Sequence, residues 1–499
     1  MITKPTLQNH KTVLLLLFLL FTAIGNAQIG IGTVTPDASS VLDITSTTKG
    51  MLAPRMTTAQ RIAIATPAQG LMVYDTDLKS FYYFSTPSGW LPLLSSSVGR
   101  TNFKRVKSAA DLAPELAAGG SVYLLSTNTL YEINGTINLT APINLNDAYI
   151  TGQDTNEDVL SFSGGTIFQG STGGSIRNIT LRGGRAFNIV GTGAGALLVQ
   201  NTIIDGSTTV PPAVPNVTGT VGTISNLGLY FGNIVQFINN SNGVTYSNIG
   251  SLLLGNQAWF SSNTGTYETF TGTFGLIQKN SGFSQVSGSA IGIDVSSNPT
   301  ITGDAVLESV VFTGTNAAGY VRPYTTGTYT GYNFNNNWNV RCAGIPTEAD
   351  ANAVGDFAID YGLGNGLSTN FGGSNPTPTV KAPGVSTSYN LFRFSTDTGV
   401  SNRLRYMGKK KRIFQVSGSL TGQSNSTAVY AVTIAKNGTL LPQYRIYARL
   451  NGGVLNSDVI VIPINASVEL ANNEYIEIGV QRISGSGDIA VPNMAITIK

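Results

Sequence analysis

The stretch that decides the fold is Ile176-Arg177-Asn178-Ile179-Thr180-Leu181-Arg182-Gly183, which recurs as Val199-Gln200-Asn201-Thr202-Ile203-Ile204-Asp205-Gly206. Each copy is an apolar residue, any residue, Asn, alternating apolar positions and then Gly. Looser copies follow around Asn226 and Asn248, so that successive Asn residues are 23, 25 and 22 positions apart. A nearly constant period of this length is typical of folds whose units stack on their neighbours. The repeat therefore predicts a parallel β-solenoid.

Asn suits the bend of such a coil because it tolerates left-handed backbone, and stacked Asn side chains can bond one another. A later copy, residues 307–314, carries Ser309 where the Asn would stand. At about 4.8 Å of rise per coil, about ten coils between Gly120 and Ile345 would form a rod of about 50 Å. We expect a right-handed parallel solenoid over residues 98–345.

The composition indicates an all-β chain. Charged residues make up 11% of the sequence and glycine accounts for 58 of 499 residues, which suits many short strands and turns. After the N-terminus, only the segment from Ser108 to Ala118 has the pattern of a short capping helix.

The first 27 residues have the pattern of a cleaved signal peptide. Lys4 and Lys11 precede an apolar run from Val13 to Ile24, and the small residues of Gly25-Asn26-Ala27 follow it. This predicts export, with the mature protein secreted or held at the cell surface. No second apolar run is long enough to span a membrane. The 29 basic and 26 acidic residues nearly balance, so no general affinity for nucleic acid is expected.

Two residue types are almost missing, and this limits the possible chemistry. The single histidine, His10, leaves with the signal peptide, which excludes His-based nucleophile systems and His-ligated metal sites from the mature chain. The single cysteine, Cys342, cannot form an intrachain disulfide and is expected to be a small core residue. We predict neither a cofactor nor a metal site.

Residues 28–97 carry an ordered set of motifs. These are Gln28-Ile29-Gly30-Ile31-Gly32-Thr33, Lys49-Gly50-Met51-Leu52-Ala53-Pro54-Arg55-Met56 and Gln69-Gly70-Leu71-Met72-Val73-Tyr74-Asp75-Thr76-Asp77. The set resembles the N-terminal module of secreted or surface proteins of the Bacteroidetes and of fibre-like proteins of their phages, which implies surface display and attachment. Taken alone, residues 72–74 and 81–83 predict a β-hairpin.

A separate β unit is predicted at the C-terminus. Residues 346–388 are rich in Gly, Asn and Pro and are expected to form a linker, whereas residues 389–499 alternate in at least six strands, typical of an antiparallel jelly-roll sandwich. Ala435-Lys436-Asn437-Gly438 and the segment from Asn473 to Ile478 resemble the C1q and tumour-necrosis-factor type of jelly roll, with Glu474 where Asp is usual. The resemblance implies a homotrimer with a trimerisation or binding head.

The sharpest local charge signal is Arg403-Leu404-Arg405-Tyr406-Met407-Gly408-Lys409-Lys410-Lys411-Arg412. Its plain interpretation is a solvated loop that guards an edge strand. Its functional interpretation is contact with an anionic glycan or a neighbouring subunit, through Arg405, Lys409, Lys410, Lys411 and Arg412. Trp338, in the aromatic run that begins at Tyr332, could either close the last coil or stack on a sugar ring.

Two function classes follow. We favour a non-enzymatic trimeric fibre or adhesin that binds glycan or protein ligands. The solenoid also resembles the pectate-lyase type, which includes polysaccharide-cleaving phage spikes, so a depolymerase is the alternative. Asp294, Asp304 and Glu308 would be its catalytic candidates, because two carboxylates about 5–9 Å apart can hydrolyse a glycosidic bond.

Overall fold

The structure is a computed structural model, and it describes residues 11–16, 28–93, 102–207, 219–452 and 458–499. Most of the predicted signal peptide and its cleavage site lie outside the described residues, although residues 11–16 are helical. The chain divides into two compact units, Met1–Arg100 and Thr101–Lys499. No helix in the described ranges combines the length and hydropathy that a membrane crossing requires.

Within residues 28–93, the first unit contains one short helix and six short strands. Their bounds are β1 Ile29–Ile31, β2 Leu42–Ile44, β3 Arg55–Met56, α1 Thr58–Ile62, β4 Met72–Asp75, β5 Ser80–Ser85 and β6 Gly89–Pro92. The predicted hairpin is confirmed, since β4 and β5 pair antiparallel. Arg61 in α1 forms a buried ion pair of 2.9 Å with Asp75 and lies 4.0 Å above the ring of Tyr82. These contacts attach the helix to the hairpin.

The second unit begins with the predicted solenoid. Its strands are β7 Phe103–Val106, β8 Tyr123–Leu124, β9 Leu130–Ile133, β10 Thr136–Asn138, β11 Ile143–Asn144, β12 Tyr149–Thr151, β13 Val159–Gly170, β14 Gly174–Val190, β15 Ala196–Asp205, β16 Thr220–Ser225, β17 Leu229–Ile238, β18 Asn242–Ser247, β19 Ser251–Trp259, β20 Thr266–Thr271, β21 Thr273–Phe274, β22 Leu276–Gln285, β23 Ile291–Asp294, β24 Thr300–Ile301, β25 Ala305–Thr313, β26 Val321–Arg322 and β27 Trp338–Ala343. All pairings among them are parallel, and the long strands bend from one face of the coil to the next.

The coils have three faces. On the first face, ten described strands pair in the order β7, β9, β12, β14, β15, β17, β19, β22, β25 and β27. The third face runs from β16 through β18, β20 and β23 to β26. Nine of these ten strands lie between Gly120 and Ile345, where about ten coils were expected, and the tenth, β7, precedes that range at Phe103–Val106.

Residues with left-handed backbone form the corner between the first face and the second. On the second face, residues 179–182 of β14 pair with residues 202–205 of β15. Asn178 and Asn201 have φ of 51° and 45°, and Asn201 Nδ2 donates to Asn178 Oδ1 over 2.9 Å. The next corner residue along this face is Ile234, with φ of 53°, and Asn256 beyond it donates from Nδ2 to Oδ1 of Asn233, the residue before the corner, over 3.1 Å. Ser309, the predicted substitute for Asn, also has positive φ there. The predicted stacking of Asn on Asn is therefore present between Asn178 and Asn201, and Ile234 interrupts it.

The sequence repeat nevertheless grouped together Asn residues that lie at two different corners of the coil. Gln200 pairs with Asn233, so the residue stacked on Asn201 is Ile234, and not Asn226 as the spacing suggested. Asn226 and Asn248 stack at the corner between the third and first faces, since the preceding residues Ser225 and Ser247 pair. Both corners need a residue that tolerates positive φ, so both select Asn, and spacing alone cannot separate them.

A short helix lies at the N-terminal end of the solenoid, as predicted. A 3-10 turn at Ala109–Leu112 leads into α2 at Ala113–Gly119. Leu112 is buried in the solenoid core and Leu116 packs against it. Glu115 accepts hydrogen bonds from Lys104 Nζ at 2.6 Å and Tyr131 Oη at 3.0 Å. The helix thus covers the apolar interior where no earlier coil exists.

The C-terminal part is an antiparallel sandwich. Its strands are β28 Gly355–Asp360, β29 Leu367–Ser368, β30 Val380–Lys381, β31 Phe394–Ser395, β32 Arg403–Tyr406, β33 Arg412–Ser424, β34 Ala428–Lys436, β35 Thr439–Leu440, β36 Ile446–Leu450, β37 Ile460–Leu470, β38 Tyr475–Gly485 and β39 Ile489–Ile498. One sheet has the order β28-β39-β33-β37 and the other β31-β32-β38-β34-β35. The fold class is thus all-β, a parallel solenoid followed by an antiparallel sandwich.

Residues 346–388 differ from the expected linker. Strands β28 and β29 pair with β39, and β30 pairs with β38, so the segment belongs to both sheets of the sandwich. Phe357 and Ile359 alternate into its core. The Gly- and Pro-rich turns between these strands dominated the composition and concealed the strands themselves.

A charged pair is buried inside the solenoid. Lys279 on β22 lies 2.9 Å from Glu268 on β20 and 3.3 Å from Gln257 Oε1 on β19. Both charged side chains are at most 3% exposed. Burial raises the pKa of Glu268, and the nearby ammonium opposes that shift. Each of the two charged side chains is therefore stable inside the apolar solenoid only because the other is its partner.

We predict that Lys279→Met lowers the free energy of unfolding by about 3–5 kcal/mol, because Glu268 is left as an unpaired buried group. The double variant Lys279→Met with Glu268→Leu should recover most of that loss. Guanidinium denaturation followed by circular dichroism measures both. As a control, Arg341→Met breaks the exposed pair with Glu308 and should cost about 0–1 kcal/mol. Equal losses for the single and double variants would contradict the argument.

Candidate functional site

The basic segment, defined as residues 403–412, runs from β32 to the start of β33 at the end of the sandwich nearest the last coil. Arg405 Nε donates to Asp397 Oδ1 over 2.7 Å and its Nη1 donates to the carbonyl of Asn473. Arg403 bonds Asp397 and Glu477, each at 2.9 Å. The two arginines lie over the ring of Tyr475 at 3.9 and 5.0 Å. This half of the segment is already paired within the protein.

The second half of the segment is organised by Asp350. The backbone N–H groups of Lys409 and Lys410 donate to Asp350 Oδ2 over 3.0 and 2.7 Å. Arg412 Nη1 donates to the Asp350 carbonyl. Asp350 lies in a 3-10 turn at Asp350–Asn352 and is buried. One carboxylate thereby fixes the path of the lysine-rich turn.

Arg393 joins the sandwich to the solenoid. Its Nη1 contacts Asp350 Oδ1 at 2.5 Å, and its Nη2 donates to the carbonyls of Trp338 and Glu348 at 2.5 and 3.0 Å. Its side chain is 3% exposed. Because Trp338 lies on the last coil, one buried guanidinium bonds the end of the solenoid and the sandwich at the same time.

These contacts surround an open cleft of about 670 Å³ between the last coil and the sandwich, which we term the basic cleft. Five cations and two carboxylates line it: Arg393, Lys409, Lys410, Lys411 and Arg412, with Asp304 and Asp350. Lys409 is paired with Asp304 at 2.9 Å, and Lys411 with Glu469 at 3.1 Å. Among the described residues, the ammonium of Lys410 has no ion-pair partner. The cleft therefore carries an excess of positive charge.

Trp338 is buried at the end of the solenoid. It is 1% exposed, its ring packs 4.7 Å from that of Phe334, and Nε1 donates to Tyr324 Oη over 3.0 Å. The buried indole fits the predicted closure of the last coil, and it presents no exposed face on which a sugar ring could stack. The cause is its position at the start of β27, where the pleat directs the indole inward.

The three predicted carboxylates each have a separate cationic partner. Asp294 on β23 of the third face pairs with Arg322 at 2.8 Å. Asp304 precedes β25 and pairs with Lys409, while Glu308 on β25 of the first face pairs with Arg341. The structure thus places Asp294 and Glu308 on different faces of the coil. In the described ranges, no group of three or more His, Cys, Asp or Glu side chains could hold a metal ion.

Cys342 is partly buried and packs against the solenoid core, in line with its predicted role. Burial raises the pKa of its thiol, which disfavours the reactive thiolate.

Sequence reasoning missed Arg393 and Asp350. A usable indication for Arg393 was its place in Leu391-Phe392-Arg393-Phe394, where a cation interrupts apolar residues just before a buried strand. Asp350 lies in the segment assigned to the linker and had no such indication.

Comparison with known proteins locates one family likeness near the N-terminus. Residues 30–106 match the family described as phage tail like trimerisation region. The match overlaps the module at residues 28–97 that was predicted to serve attachment. Comparison with curated protein sequences gives no match.

Several solved structures are similar to this chain. Tailspike protein 4 of bacteriophage CBA120, described as an enzymatically active domain, shares 10% identity with a TM-score of 0.18, over 90% of this chain and 77% of its own. WceF of Pantoea stewartii, described as a glycan biofilm modifying enzyme with a tailspike-like parallel beta-helix fold, shares 10% with a TM-score of 0.25, over 87% and 64%. ORF18 of Geobacillus virus E2 shares 11% with a TM-score of 0.22, over 88% and 91%. With such low values, no activity follows from the likeness.

A pH dependence follows from Asp397, because hydrogen bonds from Arg405 and Arg403 lower the pKa of its carboxyl from 3.8 to about 2. A carboxyl whose pKa is lower in the folded state stabilises the protein above its unfolded pKa, and that contribution disappears as the pH falls toward 2. We predict that Asp397→Asn lowers the guanidinium midpoint at pH 7, and that its difference from the unsubstituted protein vanishes between about pH 4 and pH 2.

The matched control is Arg405→Gln, which removes the main cause of the shift. Added to Asp397→Asn, it should cost less than it does in the unsubstituted protein, because the bond to Asp397 is already lost and only the contacts with Asn473 and Tyr475 remain to be removed. A midpoint difference for Asp397→Asn that is as large at pH 2 as at pH 7 would contradict the assignment.

Proposed function

We propose that this chain is a trimeric, exported, fibre-like surface protein without enzymatic activity, and that it binds anionic glycan at the basic cleft. The observation that carries the proposal is the exposed apolar surface of the first unit. The likeness of residues 30–106 to a trimerisation region supports the same conclusion from the sequence.

The first unit exposes large apolar residues to water, which is unfavourable in free energy. Ile29, Ile31, Val34, Val41 and Leu52 are each more than half exposed. Strands β1 and β2 pair in parallel and form a sheet of two strands only. Parallel sheets occur almost only where both faces are covered. Covering such residues contributes about 1.5–3 kcal/mol per side chain, and a closed ring of three identical copies would cover each copy equally.

We expect light scattering of the purified chain to give the mass of three chains of 52.4 kDa each, less any removed signal peptide. The double variant Ile29→Asp with Ile31→Asp should give the mass of one chain, because it places carboxylates in the contact. Circular dichroism should remain unchanged, since the solenoid and the sandwich form a separate compact unit.

The control is Leu363→Asp with Val385→Asp, which alters two equally exposed apolar residues of the sandwich and should leave the trimer intact. A monomeric unsubstituted protein would contradict the proposal. If the trimer survives the substitutions in β1, the contact does not lie on that strand; the C1q-like resemblance of the sandwich would then point to the head as the trimer contact.

The basic cleft supplies the proposed ligand-binding surface. Asp350 fixes the turn through backbone bonds, so the lysine side chains of that turn are presented from a rigid support. The ammonium of Lys410 has no carboxylate partner among the described residues. Lys411 forms an exposed ion pair with Glu469, which solvent screens. A polyanionic chain fits this arrangement better than a neutral one, because the cleft has more cations than carboxylates. Three copies of the cleft would multiply a weak affinity.

We predict that Lys410→Gln with Lys411→Gln weakens binding to immobilised polygalacturonate by about tenfold at low ionic strength, since each exposed ion pair contributes about 0.2–1 kcal/mol. High salt should reduce this difference. Surface plasmon resonance measures both effects. Lys49→Gln with Lys79→Gln removes the same charge from the first unit and serves as the control, with affinity expected to stay unchanged.

Equal affinity for the Lys410/Lys411 and control variants would contradict the basic cleft as the binding surface. Release of new reducing ends or unsaturated uronates from the polysaccharide would contradict the non-enzymatic proposal and favour the depolymerase alternative.

A further inference from the structure

A second cleft lies at the junction of the solenoid and the sandwich, lined by other residues, and its chemistry is different. It has a volume of about 680 Å³, and its lining includes Tyr329, Thr330, Tyr332, Ser388, Tyr389 and Asn390. We term it the tyrosine cleft. None of its lining residues is charged, whereas seven charged residues line the basic cleft. A volume of this size is within the range of about 300–1,000 Å³ typical of small-ligand sites.

Aromatic rings form its walls. The ring of Tyr332 stacks on the buried ring of Phe392 at 4.0 Å and 20°, and Tyr329 contacts the same ring edge-on at 5.5 Å. The side chain of Tyr389 is 72% exposed, although it lies at the rim of a concave site. An exposed aromatic ring beside two anchored ones offers apolar faces with hydroxyl groups at their edges.

Both walls are held by carboxylates that accept backbone hydrogen bonds, so they do not need to form when a ligand arrives. Glu348 accepts hydrogen bonds from the backbone of Asn333 and Phe334 at 2.7 and 2.9 Å, which fixes the loop that carries Tyr329 and Tyr332. Asp356 accepts hydrogen bonds from the backbone of Tyr389 and Asn390, both at 2.9 Å. Because a preformed site avoids the cost of ordering loops, even weak stacking contacts can produce measurable binding.

Polar groups of the lining are uncharged. Thr330 carries a hydroxyl group, Asn390 Nδ2 donates to Asp356 Oδ2 over 3.1 Å, and the buried Ser388 Oγ has no hydrogen-bond partner among the described residues. Flat apolar faces together with neutral donors and acceptors match a sugar ring, which has C–H groups on its faces and hydroxyl groups on its edge. A proline-rich peptide also binds aromatic grooves. The neutral hydroxyl and amide groups of the lining favour a short oligosaccharide.

We propose that the tyrosine cleft binds an uncharged oligosaccharide, with the ring of Tyr389 stacked on a sugar face. The site is separate from the basic cleft and depends neither on its charge nor on trimer formation. The chain would then bind uncharged sugars of a glycan surface at the tyrosine cleft and anionic sugars at the basic cleft.

The test is saturation-transfer NMR of the full chain with chitotriose, cellotriose, maltotriose and mannotriose as neutral probes. At least one should receive saturation from the protein, and Tyr389→Ala should weaken its binding by about tenfold. Tyr389→Phe should retain most of the binding, because the ring face remains. Tyr389 is exposed, so its substitution should not affect folding.

Two controls separate this site from the rest of the protein. Tyr447→Ala removes an exposed ring of the sandwich, and Lys410→Gln with Lys411→Gln neutralises the basic cleft; neither should change binding of the neutral probe. The proposal is overturned if no neutral probe receives saturation or if Tyr389→Ala binds as well as the unsubstituted chain. It is equally overturned if a decaproline peptide binds in a manner that requires Tyr389 while the sugars do not.

Discussion

The structure depends on one constraint: a coil of a parallel solenoid cannot satisfy its own backbone hydrogen bonds, so each coil is stable only between two others. Ten strands on the first face follow this rule, and the left-handed corners keep their register. The two end coils lack one neighbour each. At the N-terminal end α2 covers the core with Leu112 and Leu116. At the other end the sandwich is attached through Arg393, which bonds the backbone of the last coil.

This attachment explains why the basic segment has two roles. Arg403 and Arg405 are paired within the sandwich by Asp397 and Glu477. Lys409 and Arg412 meet the turn at Asp350 and the loop before β25. Only Lys410 and Lys411 carry a charge that is not bound at the junction between the last coil and the sandwich. Six basic residues in the sequence thus become a small excess of charge in a cleft, because carboxylates within the sandwich pair two of them and the junction with the last coil binds two more.

The sequence permitted the architecture to be predicted because its determinants are local. An Asn at a bend, alternating strands and the short helix at residues 113–119 depend on neighbouring residues, and all three were found. The corner that a given Asn occupies was not predictable, since Asn201 and Asn226 satisfy the same backbone requirement at different places in the coil. Strand β28 was missed because its pairing partner, β39, lies more than 100 residues later. The candidate site was harder to predict for a related reason: whether Arg393 meets Asp350 and the carbonyl of Trp338 depends on contacts between the sandwich and the last coil, which no local pattern records.

Both clefts arise where the coils become longer. Paired residues on the first face are Gly232, Leu254, Lys279, Leu307 and Val340, so successive coils from Gly232 onward contain 22, 25, 28 and 33 residues. The paired strands keep their register, so the added residues must lie in the loops between faces. In the last coil they form the segment between β26 and β27, which supplies Tyr329 and Tyr332 to one cleft and Asn336 and Asn337 to the other. Because loops tolerate insertion at little cost to the stacked strands, a solenoid can acquire a binding surface at its end without disturbing its core. Coil length alone does not produce a cleft, because the coil from Val199 to Gly232 also contains 33 residues. The two clefts form where the added residues of the last coil meet the sandwich.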